Sequence, residues 1–164
     1  MTTQTDFTIE EWSALQDGLL LAPGNLIRNV GKPGPVRGLR EGTALVRGLY
    51  HLAQDPKYTD SPFIQQLLAE ERDYQPVEGE NFPRYEVAMA HIKTAVTIIE
   101  RVATTEETDH YREILYRIAH HVASASGAGF MGTGKQRFSE AERAYLDDLK
   151  TVLGLADDSS TDVA

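Results

Sequence analysis

GAGFMGTGKQ, Gly127 to Gln136, decides between two fold classes. Gly129, four intervening residues, Gly134 and Lys135 satisfy the G-x-x-x-x-G-K part of a phosphate-binding loop. Such a loop belongs to an α/β protein. It works by following a strand and opening a helix, so that backbone N–H groups and the helix N-terminus converge on the phosphates. Here the preceding segment carries Tyr111, Leu115, Ile118 and Val122 at spacings of three and four, the period of a helix. The residue after Lys135 is Gln136, not the Ser or Thr that would hold magnesium, and no apolar strand ending in Asp occurs elsewhere. The stretch therefore reads as a glycine-rich loop between two helices. Its backbone N–H groups, around Gly129 and beside Lys135, keep it a candidate for binding an anion.

Working outward from the loop, helical periodicity recurs in nearly every segment, and long alternating runs rich in Val, Ile and Thr are missing. The expected fold is all-α, a single compact bundle of six to seven helices over residues 1–156, with residues 157–164 a disordered acidic tail. Thr8 and Glu11 form a capping box that opens the first helix, with Phe7 placed to staple onto Trp12 and Pro23-Gly24 marking the end. The stretch from Gly31 to Gly38 is too rich in glycine and proline for regular structure, so the second helix is expected over Leu39 to Gln54. Ser61-Pro62 opens a helix to about Glu71 with Phe63, Leu67 and Leu68 inward. Val87, Ala90, Ile92, Ala95, Ile98 and Ile99 are too many for a narrow stripe, which predicts that Arg84 to Ala103 is the central, largely buried helix. Thr105 is the expected cap of the next helix, ending near Ser126-Gly127. Ser139 and Glu142 form a second capping box, before a helix facing inward through Ala144, Tyr145, Leu149, Val152 and Leu153. Trp12, Tyr111 and Tyr145 are expected in the core.

The chain has 164 residues and is 41% hydrophobic, enough for one sizeable core. Its formal charge of -9 repels phosphate at long range, which argues against nucleic acid and anionic membrane as partners. No apolar run approaches the ~20 residues of a bilayer crossing, and MTTQTDFTIEEW lacks the basic and apolar regions of a signal peptide, so a cytoplasmic location is expected. With no cysteine in the sequence, any metal must be held by oxygen or imidazole.

The stretch Ile114 to Leu155, ILYRIAHHVASASGAGFMGTGKQRFSEAERAYLDDLKTVLGL, resembles the C-terminal half of the tellurite-resistance TerB-like family, and FTIEEW looks like the uncharacterised bacterial branch of it. The matching features are an apolar helix ending in a turn, an S-x-x-E opening and a closing L-G-L. The resemblance implies an all-helical bundle with a pseudo-repeat, a tellurite or stress-response setting, and divalent-metal binding by acidic turn residues. On it, Glu142 falls on the family's helix-opening glutamate, and Ser126 stands where the family has a turn aspartate. An internal repeat runs beside this: Leu15 to Leu49 and Leu115 to Leu149 each read as apolar helix, glycine-rich loop with a lysine, and acidic helix start, which pairs Glu41 with Glu142 as candidate metal ligands.

Three further groups are candidates. Arg28, Lys32, Arg37, Arg40, Arg47 and Lys57 form a basic stretch against Glu41 and Asp55, able to hold a small anion or an acidic partner segment, with Lys32, Arg37 and Arg40 the expected contacts. Glu107 and His110 have the E-x-x-H spacing of a di-iron bundle, but such a centre needs a second copy and two more glutamates. Ser124 and Ser126 lie near His120 and His121 without a triad's geometry or a G-x-S-x-G. The function expected is a non-enzymatic helical module binding a small anion, a divalent metal ion or a protein partner, with a homodimer allowed. A metal-dependent enzyme with His and Glu ligands is the alternative.

Overall fold

In the computed structural model, residues 2–30, 35–69, 82–126 and 138–155 are described, with side chains excepted at 35–42 and 126. Among the described residues seven α-helices follow a short 3-10 turn at Gln4–Asp6: α1 Ile9–Asn25, α2 Pro35–Ala53, α3 Pro56–Thr59, α4 Pro62–Ala69, α5 Tyr85–Val102, α6 Thr105–Ser126 and α7 Glu140–Leu153. There is no strand among the described residues, so the fold is the all-α bundle that the sequence predicts. The acidic tail and the whole stretch from Gly127 to Arg137 lie outside the described residues.

Local signals set most helix ends. The Thr8 hydroxyl accepts from the Glu11 N–H at 3.2 Å while the Glu11 carboxylate accepts from the Thr8 N–H at 3.0 Å, and Phe7 lies against Trp12 with ring centroids 5.8 Å apart. Ser139 and Glu142 do the same for α7, which closes on Gly154 in the left-handed region at φ 65. Other boundaries move. Pro23 sits inside α1, and the chain continues as a π-helical turn, Leu26–Val30. α2 starts at Pro35, inside the proline-glycine stretch expected to be irregular, because proline suits a first helical turn whose N–H would be unpaired anyway. The cap of α6 is Thr104, not Thr105: its hydroxyl accepts from the Glu107 N–H at 3.2 Å. The one-turn helix α3, with Asp55 as its cap and Pro56 at its start, has no counterpart in the sequence reading.

The central helix is α6, not α5. Tyr111, Ile114, Leu115, Ile118, Ala119, Val122 and Ala123 are all fully buried, and α6 packs against α1, α2, α4, α5 and α7. α5 buries one face, Ala88, Met89, Ile92, Ala95, Val96 and Ile99, and turns Val87 and Ala90 to solvent. Ala144 on α7 is likewise exposed, and Leu146 takes the buried position instead. α1 and α5 run antiparallel, since Arg101 near the end of α5 pairs with Glu11 near the start of α1, and Asn25 at the other end of α1 donates to the Tyr85 carbonyl. The Tyr111 hydroxyl crosses the core to the Leu15 carbonyl at 2.8 Å, and the Tyr145 hydroxyl reaches the Ala22 carbonyl. Gly18 makes the first of these reachable, because a Cβ there would strike the Tyr111 hydroxyl.

Residues 31–34 and 127–137, in the two loops of the expected repeat, lie outside the described residues, and the helices that flank them pack differently. α7 lies against α6, α5 and the π-helical turn, whereas α2 lies along α6 and, among the described residues, makes at most marginal contact with α1.

Candidate functional site

Among the residues singled out from sequence, Lys32, Gly129 and Lys135 lie outside the described residues. Arg37, Arg40 and Glu41 fall in the first half of α2, where the helical backbone alone is described. Glu142 is at the third position of α7, 3% exposed, its Oε2 accepting from the Ser139 N–H at 2.8 Å. The structure therefore gives Glu142 a capping role, and the Glu41 side chain, its expected partner, lies outside the described ones.

The second half of α2 shows how this helix meets both core and solvent. Ala44, Leu45, Gly48 and Leu52 are buried against the bundle, with Gly48 so close to α6 that a Cβ there would lie 3.2 Å from the His121 ring. Thr43, Val46, Arg47 and Tyr50 are exposed. Their spacing of three and four places them on one outward stripe, the geometry by which a helix buries a second face. Val46 is 56% exposed and Tyr50 63%. The other exposed large apolar side chains among the described residues, Ile9 and Val87, stand singly on separate helices.

A polar cluster that sequence reasoning missed joins α3 to α6. Arg117 donates to Asp55 at 2.7 Å and to the Tyr58 hydroxyl at 3.1 Å, with its guanidinium 5.6 Å from the Tyr58 ring centre. Lys57 pairs with Glu113 alongside. The hydrogen bond from Arg117 holds the Asp55 carboxyl below the usual range, and burial pushes the Tyr58 phenol up to about 12. His110 packs edge-on against Tyr58 with centroids 5.2 Å apart, its buried Nδ1 without a partner. The Asp55-Pro56 pair was the available sequence signal for α3, as a cap followed by a proline. Every charge here is matched across the helix seam, so the cluster reads as a clasp.

The other candidate groups of α6 are held in structural contacts. Burial pushes the Glu107 carboxyl upward, but donors from Thr2 and Thr104 outweigh it and hold it low: the Thr2 hydroxyl lies at 2.6 Å, the Thr104 N–H at 3.0 Å. Glu107 thus ties the N-terminal segment to α6. His120 sits against Phe138 and Tyr116, with centroids at 5.1 and 5.9 Å. The Ser124 hydroxyl donates to the His120 carbonyl at 2.8 Å, so it is not aimed at either imidazole. Burial lowers the pKa of both His120 and His121. Among the described residues, no group of three or more His, Asp or Glu side chains could hold a metal ion.

Two concavities stand out among the described residues. One, of about 370 Å³, lies along the N-terminal turn between Gln4, Phe7, Ile9, Trp12 and Gln16. Its aromatic floor is already in the core, where Phe7 and Trp12 both contact Phe63. The other, of about 180 Å³, lies between Glu10, Asp17, His91 and Thr94 on the outside of α1 and α5. Neither gathers convergent polar groups around an apolar cavity as a small-molecule site does. No helix among the described residues is long and apolar enough to cross a membrane. Comparison with protein-family models, with curated proteins and with solved structures finds no match for this chain.

Proposed function

We propose that this chain is a non-enzymatic helical binding module and that the outward stripe of α2 is where a protein partner docks. The observation that carries the reading is the side-by-side exposure of Val46 and Tyr50 around Arg47. Isolated apolar residues on a surface are ordinary, but an apolar pair one helical turn apart, beside an arginine, has the composition of an interface core. Tyr and Arg are also the residues that most often dominate binding energy. Within the TerB-like resemblance, such a module would act as a cytoplasmic adaptor in a stress or tellurite response. The alternatives, a small anion at Lys32, Arg37, Arg40, Gly129 and Lys135 or a divalent ion at Glu41 and Glu142, rest on side chains that, Glu142 apart, lie outside the described ones, whereas the stripe of α2 is described.

The test is photo-crosslinking from position 50, with Thr97 on the exposed side of α5 as control, followed by identification of the partner and titration of the two purified proteins. A partner captured from position 50 alone, and bound at least tenfold more weakly by Tyr50→Ala, supports the reading. Equal capture from both positions, or unchanged affinity, overturns it.

A further inference from the structure

The binding-module reading leaves the partner's chemistry open, and α2 narrows it. We infer that the outward face of α2 takes an acidic amphipathic helix presented by a partner protein. The inference rests on that reading and goes beyond it in two respects, the sign of the partner's charge and its shape.

Charge comes first. The chain carries 25 acidic against 16 basic side chains, yet α2 holds three arginines, Arg37, Arg40 and Arg47, against the single Glu41. Arg40 stands two turns before Arg47 on the same helix. Among the described side chains, the cation pairs across helix seams bind Lys57 to Glu113, Arg101 to Glu11, Arg112 to Glu100 and Arg117 to Asp55, on other elements. Basic charge is thus concentrated on the helix that also exposes apolar surface. A basic or neutral partner would meet like charge or gain nothing at Arg47, whereas a glutamate or aspartate flanking an apolar stripe gains a charge-assisted bond.

Shape comes second. The stripe through Thr43, Val46, Arg47 and Tyr50 is a convex ridge, and no strand edge exists among the described residues for an extended peptide to join. A convex ridge of side chains spaced by three and four is what another helix's grooves accept. Residues 43 to 53 of α2 span about 16 Å, close to three turns, so a partner helix of ordinary length covers them.

Fluorescence anisotropy with the full chain tests this. The probe is a labelled designed peptide of about 18 residues with apolar positions at i, i+3, i+4 and i+7 and glutamates flanking them. Twins carry glutamine or lysine in place of every glutamate. The acidic peptide should bind at least tenfold more tightly than the glutamine twin, and added salt should narrow that gap. Tyr50→Ala should weaken it tenfold or more with the melting temperature unchanged, and Arg47→Glu should make the lysine twin the better ligand. Equal binding of the acidic and glutamine peptides overturns the acidic preference while leaving α2 a docking face. No peptide binding, with the Tyr50 crosslink to a partner intact, overturns the helical partner but not the module. Loss of both removes both. A dimer in sedimentation equilibrium that Tyr50→Ala disperses would make the occupant a second copy of this chain and overturn the inference.

Discussion

α6 and α2 pack along each other, yet they divide the work of the molecule. Around α6 five other helices close, and two of its charged side chains are already taken: Glu107 by Thr2 and Thr104, Arg117 by Asp55 and Tyr58. α2 spends one face on α6 and leaves the other with Val46, Arg47 and Tyr50 in solvent. A substitution on α6 should therefore be felt as stability. One on the outer stripe of α2 should be felt as binding.

The contrast is sharpest in the core. Ile118→Ala removes a fully buried side chain from the centre of α6 and should cost about 3 kcal/mol in urea unfolding. Gly18→Ala should follow. Its Cβ would meet the Tyr111 hydroxyl, displacing it from the Leu15 carbonyl, for a loss of roughly 1–3 kcal/mol, and Tyr111→Phe should absorb most of that loss in a double-mutant cycle. If Gly18→Ala costs the same in the Tyr111→Phe background, the close approach is not the cause.

Acid should strain the seam of α6 with its neighbours. His120 and His121 have folded-state pKa values below the ordinary 6.5, because burial disfavours their charged forms. The unfolded chain therefore binds protons first as pH falls. Stability is undiminished above about pH 6.5 and declines as pH drops from there toward the lowered folded values. His120→Phe should flatten that decline in thermal melts recorded from pH 7.5 to 5, and an unchanged slope would exclude this histidine as the source.

The smallest effects belong to helix starts and to the outer stripe. Glu142→Gln keeps a side chain able to accept from the Ser139 N–H and should cost a few tenths to about 1 kcal/mol. A melting temperature raised by a divalent ion in the parent and not in this variant would instead reveal a ligand role. Val46→Ala and Tyr50→Ala should each change stability by less than about 0.5 kcal/mol, since both side chains face solvent. A loss comparable to that of Ile118→Ala would show that α2 has no free face.

What the sequence determined by itself is local. The boxes at Thr8–Glu11 and Ser139–Glu142, the Phe7–Trp12 contact and the period of three and four in every long helix are legible because the partners lie within one turn of chain. The same locality explains why the Ser139 to Glu142 opening and the Gly154 closure, part of the TerB-like resemblance, read first as the start and stop of α7. Tertiary structure alone decided which helix is central. By sequence α5 is the more apolar of the two, yet α6 is central because α1, α2, α4, α5 and α7 all close on it, which no single-segment pattern contains. It also decided the pairing of Asp55 with Arg117, 62 positions apart, and of Tyr111 with Leu15, 96 apart. And it decided that Val46 and Tyr50 remain outside. A helix pattern says which residues share a face, but whether a neighbour covers that face depends on how distant segments compete to bury apolar surface.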